Sequence, residues 1–504
     1  MKRSSLVLVL IFVMMGTFLV VGPSYGAVTE LRVAAHHDMN SADPARAHNT
    51  TDHIVNSNVF NGLLKLKPGS CEIEKDLAES YKVSSDGKVL TFKLRRGVKF
   101  HKGYGELISS DVKFSLMRYL DPKVKSMQQG NYEVMDRIET PDKYTVRIFL
   151  RKPSMGFLGV LAFSGEIVSE KAMNELGSKF SFDPIGTGAF QWSGRVPGSE
   201  IVLTAYEDYF LGPPEVKRVV CKIIPDTSVC LNAVQRGDVD YFAVLDSGSY
   251  RSMLNIKDKN FKVLKYNTTW TNFVYFNCEK EPTKHAKVRQ AMAHAIDFRA
   301  IAKSFQGMME YNPSAFPFTL PSWTDKLSTY RYDVELAKRL LREAGYERPS
   351  IEIDTFKFMN SDDFAIMIKD YLSKIMDVKI VMIDVARWRE VATTRKDWYL
   401  YTNPHSRPTE DLYASGTFHS KGSNNFMGYA NPQLDAMIEK ADQEVNDAKR
   451  KALYVNIQEI IARDLPLLVM STGNGIAITT KNLEGVVGDG AFPGVAKFHG
   501  ANFK

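Results

Sequence analysis

Tyr81-Lys82-Val83-Ser84-Ser85-Asp86-Gly87-Lys88-Val89-Leu90-Thr91-Phe92-Lys93-Leu94 alternates apolar and polar residues on both sides of an Asp-Gly pair. Successive strand side chains point to opposite faces, and Asp-Gly suits a tight turn, so the stretch reads as a β-hairpin. Just downstream, Ser110-Asp111 offers a cap for a helix carrying Val112, Phe114, Leu116 and Met117. Tyr144 to Leu150 alternates again, which makes residues 70–150 a β-rich unit. Further out, Leu31–Ala35, Ile201–Leu203, Val219–Ile224, Phe273–Phe276, Ile351–Ile353 and Val378–Ile383 are short apolar runs of strand type. Helical patterns stand between them. Asp333 caps one with Leu336, Ala337, Leu340, Leu341 and Ala344 on a single face, and Gly345 stops it. Asn431-Pro432 opens another with Leu434, Met437 and Ile438, and a third from Ala448 to Arg463 ends at Asp464-Leu465-Pro466. Alternating strands and helices predict an α/β protein with a β-rich insertion.

The chain has 504 residues, 44% hydrophobic and 24% charged. That is room for two large lobes or about three folding units. It excludes a disordered chain, a collagen, a disulfide-rich miniature scaffold and a polytopic membrane protein. The formal charge of +7 is spread along the chain without a Lys/Arg block, so nucleic acid is not an expected partner. Lys2 and Arg3 precede an apolar run from Leu6 to Val21, followed by Gly22-Pro23-Ser24-Tyr25-Gly26-Ala27. This is the pattern of a cleaved signal peptide ending at Gly26, with no Cys at the cleavage point to take a lipid. It predicts a soluble periplasmic protein. Cys71, Cys221, Cys230 and Cys278 allow two disulfides in three pairings, including a local Cys221–Cys230 bridge, or four buried thiols.

Catalytic motifs are missing. The sequence holds no G-x-S-x-G elbow, no H-E-x-x-H and no P-loop, and neither Gly186-Thr187-Gly188 nor Gly488-x-Gly490 completes a dinucleotide loop. The chain is therefore expected not to be an enzyme and to need no cofactor. His36-His37-Asp38 is the most metal-like cluster, but adjacent histidines point apart. No metal site is expected; a metal reading would have to use His36 and His405.

Several blocks in order resemble the solute-binding proteins of ABC importers for dipeptides, oligopeptides and nickel, the bacterial extracellular family 5. They are Leu77 to Gly103, Asp111 to Ser115 with Arg118, Ile185 to Phe190, Arg236 to Asp240, Val288 to Asp297 and Tyr429 to Asp435. Within the fifth block Val288, Ala291, Met292 and Ala295 make a buried helical stripe. The resemblance implies a two-lobe α/β periplasmic binding protein of the cluster C type. A hinge joins the lobes, and a β-rich subdomain is inserted in lobe I. Lobe I would be residues 27–62, 186–270 and 481–504, the inserted subdomain 63–185 and lobe II 271–480. The family mechanism is lobe closure on a small-molecule or short-peptide ligand and delivery to an ABC permease complex in the inner membrane, by a monomer.

The resemblance also puts ligand contacts on loops of both lobes. The candidates are His37 and Asp38 after the first strand, Phe242 and Asp246, Trp270 and Thr271 at the crossover, and His405, Arg407, Glu410 and Asp411 in lobe II. Where peptide binders of the family carry an Asp that holds the ligand's amino group, this chain aligns Arg407. A guanidinium there favours a carboxylate or phosphate, while Glu410 or Asp411 could still supply the anion in another register. A peptide-like or anionic small solute follows. The alternatives are a nickel or metal-chelate ligand, using His405 beside Arg407, and ligand delivery to a chemoreceptor.

Overall fold

The computed structural model describes residues 30–504 apart from 68–69, 258, 328–329, 358–359, 385–386, 388–389, 393–397 and 492; the side chains of 403–405 are also outside the description. The signal peptide expected at residues 1–26 lies outside the described residues.

Strand β1 (Glu30–Ala35) is followed by the inserted unit, where β2 (Ala78–Val83), β3 (Val89–Leu94), β4 (Met135–Asp142) and β5 (Thr145–Leu150) form a sheet in the order β2-β3-β5-β4. The Asp-Gly hairpin is its first pair. Then come β6 (Phe190–Val196), β7 (Glu200–Ala205), β8 (Arg218–Ile223), β9 (Tyr241–Val244) and β10 (Phe261–Phe276). Last are β11 (Ser350–Thr355), β12 (Asp377–Met382), β13 (Leu400–His405) and β14 (Leu467–Thr480). One sheet runs through the molecule in the order β12-β11-β13-β10-β14-β9-β1-β8-β7-β6.

Two long antiparallel strands carry that sheet from one half to the other. Residues 271–276 of β10 pair with β13 on one side, while residues 476–479 of β14 pair with β9 on the other. Between these regions the β10–β14 register slips from Asn267 to Thr271. Such an irregularity bends a strand pair locally. Its polar groups are satisfied in place: Thr268 Oγ1 donates to the Gly473 carbonyl at 2.6 Å and accepts the Trp270 N–H at 3.1 Å.

Helices cover the sheet as their patterns require. In α1 (Thr50–Val59), Asn49 and Asp52 form a reciprocal capping box. In α2 (Ser109–Arg118) the cap differs from the expectation: Ile108 is the N-cap and Asp111 sits one turn in. Its carboxylate reaches back to the Ile108 N–H at 3.0 Å and out to the Glu170 N–H at 3.0 Å, which explains why an acid near a helix start need not be its cap. α3 (Phe157–Ser164) belongs to the inserted unit and α4 (Ser247–Leu254) follows β9. In α5 (Ala286–His294) the stripe Val288, Ala291 and Met292 is fully buried. Asp333 caps α6 (Val334–Glu343) by accepting the Leu336 N–H at 2.9 Å, and Gly345 lies just past its end at φ 86°. α7 (Ser361–Leu372), α8 (Pro432–Gln443) and α9 (Asp447–Asp464) complete the second half. All four cysteines are free; Cys71, Cys221 and Cys230 are buried and Cys278 is half-buried, so the buried-thiol alternative holds for three of the four.

His101 fastens the inserted unit to the main sheet. It is fully buried, its Nε2 donates to the Gly188 carbonyl at 2.9 Å, and its Nδ1 accepts the Gly186 N–H at 3.4 Å. Acceptance at Nδ1 needs the neutral ring, and burial pushes its pKa down to about 4 against the Gly188 bond, which alone would raise it. The unfolded chain then binds a proton more readily than the folded one, so stability falls as pH drops from about 6.5 to about 4. His53 is lowered to about 4 in the same way. His101→Gln should flatten part of this acid limb in denaturant melts taken at pH 7, 5.5 and 4; an unchanged slope would remove His101 from the account.

Candidate functional site

The loops leaving the strand ends face one another across the two halves. On the first side, Asp246 caps α4 by accepting the Ser249 N–H at 2.7 Å. This turns the start of the helix toward α7. Ser247 donates its N–H to Asn360 Oδ1 at 2.8 Å and its hydroxyl to Asp363 Oδ2 at 2.7 Å. Ser247 and Asn360 are buried, and Asn360 adopts φ 66°, a left-handed conformation that Asn tolerates better than most residues. Sequence reasoning found Asp246 but not Asn360 or Asp363. An Asn followed by an acidic helix start was the available signal, and it does not name a partner.

Phe242 lies inside β9 with its side chain fully buried, its ring edge-on to His36 at 6.3 Å. His36 Nε2 is 3.1 Å from the Ala243 carbonyl oxygen. His37 is exposed, and Asp38 accepts the N–H groups of Met39 and Gly198, each at 2.7 Å. Asp38 thereby pins the β6–β7 turn. Among the described residues no three His, Cys, Asp or Glu side chains converge as metal ligands.

On the second side, β13 leads into Ser406–Asp411. The side chain of His405 is outside the described residues. Ser406 Oγ meets both Thr269 Oγ1 and the Ala491 carbonyl, while the Thr269 N–H donates to the Gly490 carbonyl at 2.7 Å. Tyr413 Oη donates to the Thr269 carbonyl at 2.6 Å. The hinge, the lobe-end loop and the C-terminal segment are therefore knitted at one point. Thr271 is buried there, with its hydroxyl donating to the Thr269 carbonyl at 3.2 Å. Arg407 is half-buried beside Tyr413, and its Nη1 lies 3.2 Å from the Ser406 carbonyl oxygen. Glu410 Oε1 accepts the Ser322 N–H at 3.0 Å.

Two cavities adjoin these loops. Trp270 lines a small one of about 20 Å³ at the hinge, with Met308, Met309, Asn360 and Asn474. A much larger one, about 760 Å³, separates the inserted unit from the second half. Cys71, Tyr81 and Met155 face Thr409, Glu410, Asp411, Arg450 and Tyr454 across it. Its volume falls within the range of roughly 300–1,000 Å³ usual for small-molecule sites. Of the sequence candidates, Glu410 and Asp411 line the large cavity and Trp270 the small one; His37, Asp38, Phe242, Asp246, Thr271 and Arg407 line neither. Burial raises Asp411 to about 6, with the nearby Glu410 adding to it against a Thr409 hydrogen bond. Burial and then the charge of Asp411 raise Asp442 to about 7. Asp442 accepts hydrogen bonds from Ser415 Oγ at 2.7 Å and Tyr454 Oη at 3.3 Å. The enclosure holds both signs of charge and aromatic wall, suited to binding a polar solute, and no nucleophile–base pair was expected from the sequence motifs.

Comparison with known proteins agrees with this architecture. The profile of the bacterial extracellular solute-binding proteins, family 5 Middle, matches residues 72–425. Heme-binding protein A of Haemophilus influenzae is 28% identical over 496 residues, spanning 89% of this chain and 88% of its own. The dipeptide-binding protein of Escherichia coli is 28% identical over 470 residues, 86% of each chain. Among solved structures, HbpA2 from Haemophilus parasuis superposes with a TM-score of 0.84 at 25% identity, over 94% of this chain and 100% of that one. MoaA from A. tumefaciens R10, in complex with mannopinic acid, gives 0.78 at 27% identity over 95% and 100%. The fold is thus the two-lobe binding-protein fold expected from the sequence. Among the described residues no helix is long and apolar enough to cross a membrane. The chain belongs to the bacterial extracellular solute-binding proteins of family 5.

Proposed function

We propose that the chain captures a peptide-like or anionic small solute in the periplasm of its cell, without chemical turnover, and delivers it as a monomer to the membrane permease of an ABC importer. Residues 27–62, 186–270 and 481–504 would act as lobe I, 63–185 as its inserted subdomain and 271–480 as lobe II. Residues 1–26 would be removed on export. The observation that carries the reading is the lobe II loop Ser406–Asp411, which reaches the hinge at Ser406 and the wall of a 760 Å³ cavity at Glu410 and Asp411. Arg407 lies between those two contacts. A cation at this point favours a ligand carboxylate, bidentately where geometry allows. A relative at 27% identity solved with mannopinic acid supports an acidic ligand on this fold.

The test is a thermal-shift panel on the purified chain, stripped of ligand by partial unfolding. It contains dipeptides, longer peptides, acidic amino-acid conjugates, and nickel with and without histidine or citrate. A ligand at 100 times its Kd stabilises by about 2.7 kcal/mol, a shift of several degrees. Anionic compounds are expected to give that shift and Arg407→Ala to abolish it. A shift with zwitterionic peptides alone would overturn the assignment of Arg407 and move the anchor to Glu410 or Asp411. A shift with nickel–histidine alone would replace the solute class by a metal chelate.

A further inference from the structure

The two halves meet around the large cavity at two places. At one, lobe II comes so close to α3 that a methyl group built on Gly156 would overlap the Asp411 carboxylate, and one on Gly159 the Thr409 methyl. At the other, the first half reaches across. Leu64–Leu66 and Ile73–Lys75 pair as a short antiparallel hairpin, Leu64 opposite Lys75 and Leu66 opposite Ile73. Its base belongs to the first half: Leu64 is 1% exposed and packs in the core shared by α1, α3 and the inserted sheet. Its tip does not. Cys71 is 5% exposed and sits in a different core, the one that holds Phe316, Leu320 and Tyr413. Among the described residues, every other buried member of that core comes from residues 273–467. Thr319 lies beside the Cys71 thiol, and Glu410 is within electrostatic reach of it; both belong to lobe II.

The tip is built to leave as well as to seat. Its polar groups are satisfied inside the turn. The Lys67 N–H donates to the Glu72 carbonyl at 2.7 Å, the Ser70 N–H to the Lys67 carbonyl at 3.0 Å, and the Glu72 N–H to Ser70 Oγ at 3.2 Å. Lys67 Nζ meets Glu72 Oε2 at 2.9 Å. Undocking breaks none of these bonds. It gives up the apolar contact of one small side chain, and a contact of that size can open locally while the rest of the fold stays intact. Burial pushes the thiol up to about 12, so the seated group is uncharged and needs no counter-charge in its socket. Cys71, Glu72 and Ile73 also line the 760 Å³ cavity. The seated tip is part of the cavity wall, and lifting it opens that wall.

We propose that residues 64–67 and 70–75 form a strap over the cavity: seating Cys71 in the core of lobe II closes it, and the strap lifts and reseats in the folded protein to let solute pass. The strap rests on the reading above that the cavity takes the solute.

Pulse labelling of the full, ligand-stripped chain tests it. The reagent is a maleimide on a polyethylene glycol chain too large to enter the cavity, and peptide mapping follows each cysteine. Cys221 is the internal reference, since it is fully buried in the main sheet and reacts only when the molecule unfolds. Cys71 should react at least about tenfold faster than Cys221. The second arm is Thr319→Cys, with circular dichroism checking that the variant folds. Diamide, reduced to its hydrazine as the two thiols lose their hydrogens, should join the new thiol to Cys71. The pinned strap should then resist trypsin, with cleavage after Lys67 slowed about tenfold and restored by dithiothreitol. If Cys71 reacts no faster than Cys221, the tip is a fixed plug. If no disulfide forms, the tip does not seat on lobe II. If pinning leaves cleavage unchanged, lifting is not what exposes the hairpin. Each of these results overturns the strap. No arm contains a solute, so such a failure leaves the solute reading standing, and the thermal-shift panel decides that reading separately.

Discussion

Arg289→Met should lower stability by about 4 kcal/mol and the melting temperature of lobe II by about 10 °C, measured by calorimetry on the full chain. Arg289 is 4% exposed and lies on α5 among the stripe residues. Its guanidinium donates to the carbonyls of Thr283 at 2.9 Å, Lys284 at 2.8 Å, Asp464 at 2.6 Å and Leu465 at 2.8 Å. The last two close the end of α9, where a helix has carbonyls without intrahelical donors. Leu465 turns left-handed there, at φ 51°. Methionine keeps the apolar stem but leaves four carbonyls short of a donor, each costing about 1–3 kcal/mol unless water replaces it. Lysine, with three donors and no planar fork, should recover only part of the loss. A methionine variant within about 1 kcal/mol of wild type would mean that solvent reaches these carbonyls and that the clamp is dispensable.

Gly186→Ala should cost about 3 kcal/mol and lower the yield of folded protein. A Cβ at Gly186 would overlap the Val59 carbonyl oxygen and the Phe60 ring, and one at Gly188 would overlap the Asn58 and Val59 backbone. Backbone cannot rotate away as a side chain can. The segment is also held there: the Gly188 N–H donates to the Val59 carbonyl at 2.8 Å and the His101 N–H to the Gly186 carbonyl at 2.9 Å. Gly186-Thr187-Gly188 is thus the close approach of a loop to the end of α1. Gly97→Ala is the control. It has φ 75° and open space around it, so only backbone strain counts and about 1 kcal/mol should be lost. Equal losses at the two positions would refute the contact explanation.

The elements that were legible in the sequence depend on neighbours a few residues apart. The Asp-Gly hairpin, the Asp333 and Asn431 caps and the Val288 stripe each follow from local periodicity or a single capping bond. The contacts that shape the site do not. Ser247 meets Asp363 and Gly156 meets Asp411 across more than a hundred residues, and no spacing rule connects them. Gly156-x-x-Gly159 ahead of an apolar run did mark a small helix face, yet nothing local says what fills it. Phe242 shows another limit. Tyr241–Val244 is buried throughout because strands flank it on both edges and it lies in the middle of the sheet, so its residues read alike from sequence whether they face core or cleft.

The path of the sheet also sets an order of assembly. β1 hydrogen-bonds to β8 and β9, which lie 188 and 208 residues downstream. The Asn58 amide joins the Ala496 carbonyl at 2.9 Å and the Phe498 N–H at 2.9 Å, from the opposite end of the chain. The strands from β10 to β13 find their sheet partners within one continuous stretch, residues 261–480. Pairing over long separations is slow because the connecting chain must first surrender its freedom. The middle of the protein should therefore reach its native form early. The half built from distant segments has to wait, its first strand without lasting partners until β8 and β9 are in place.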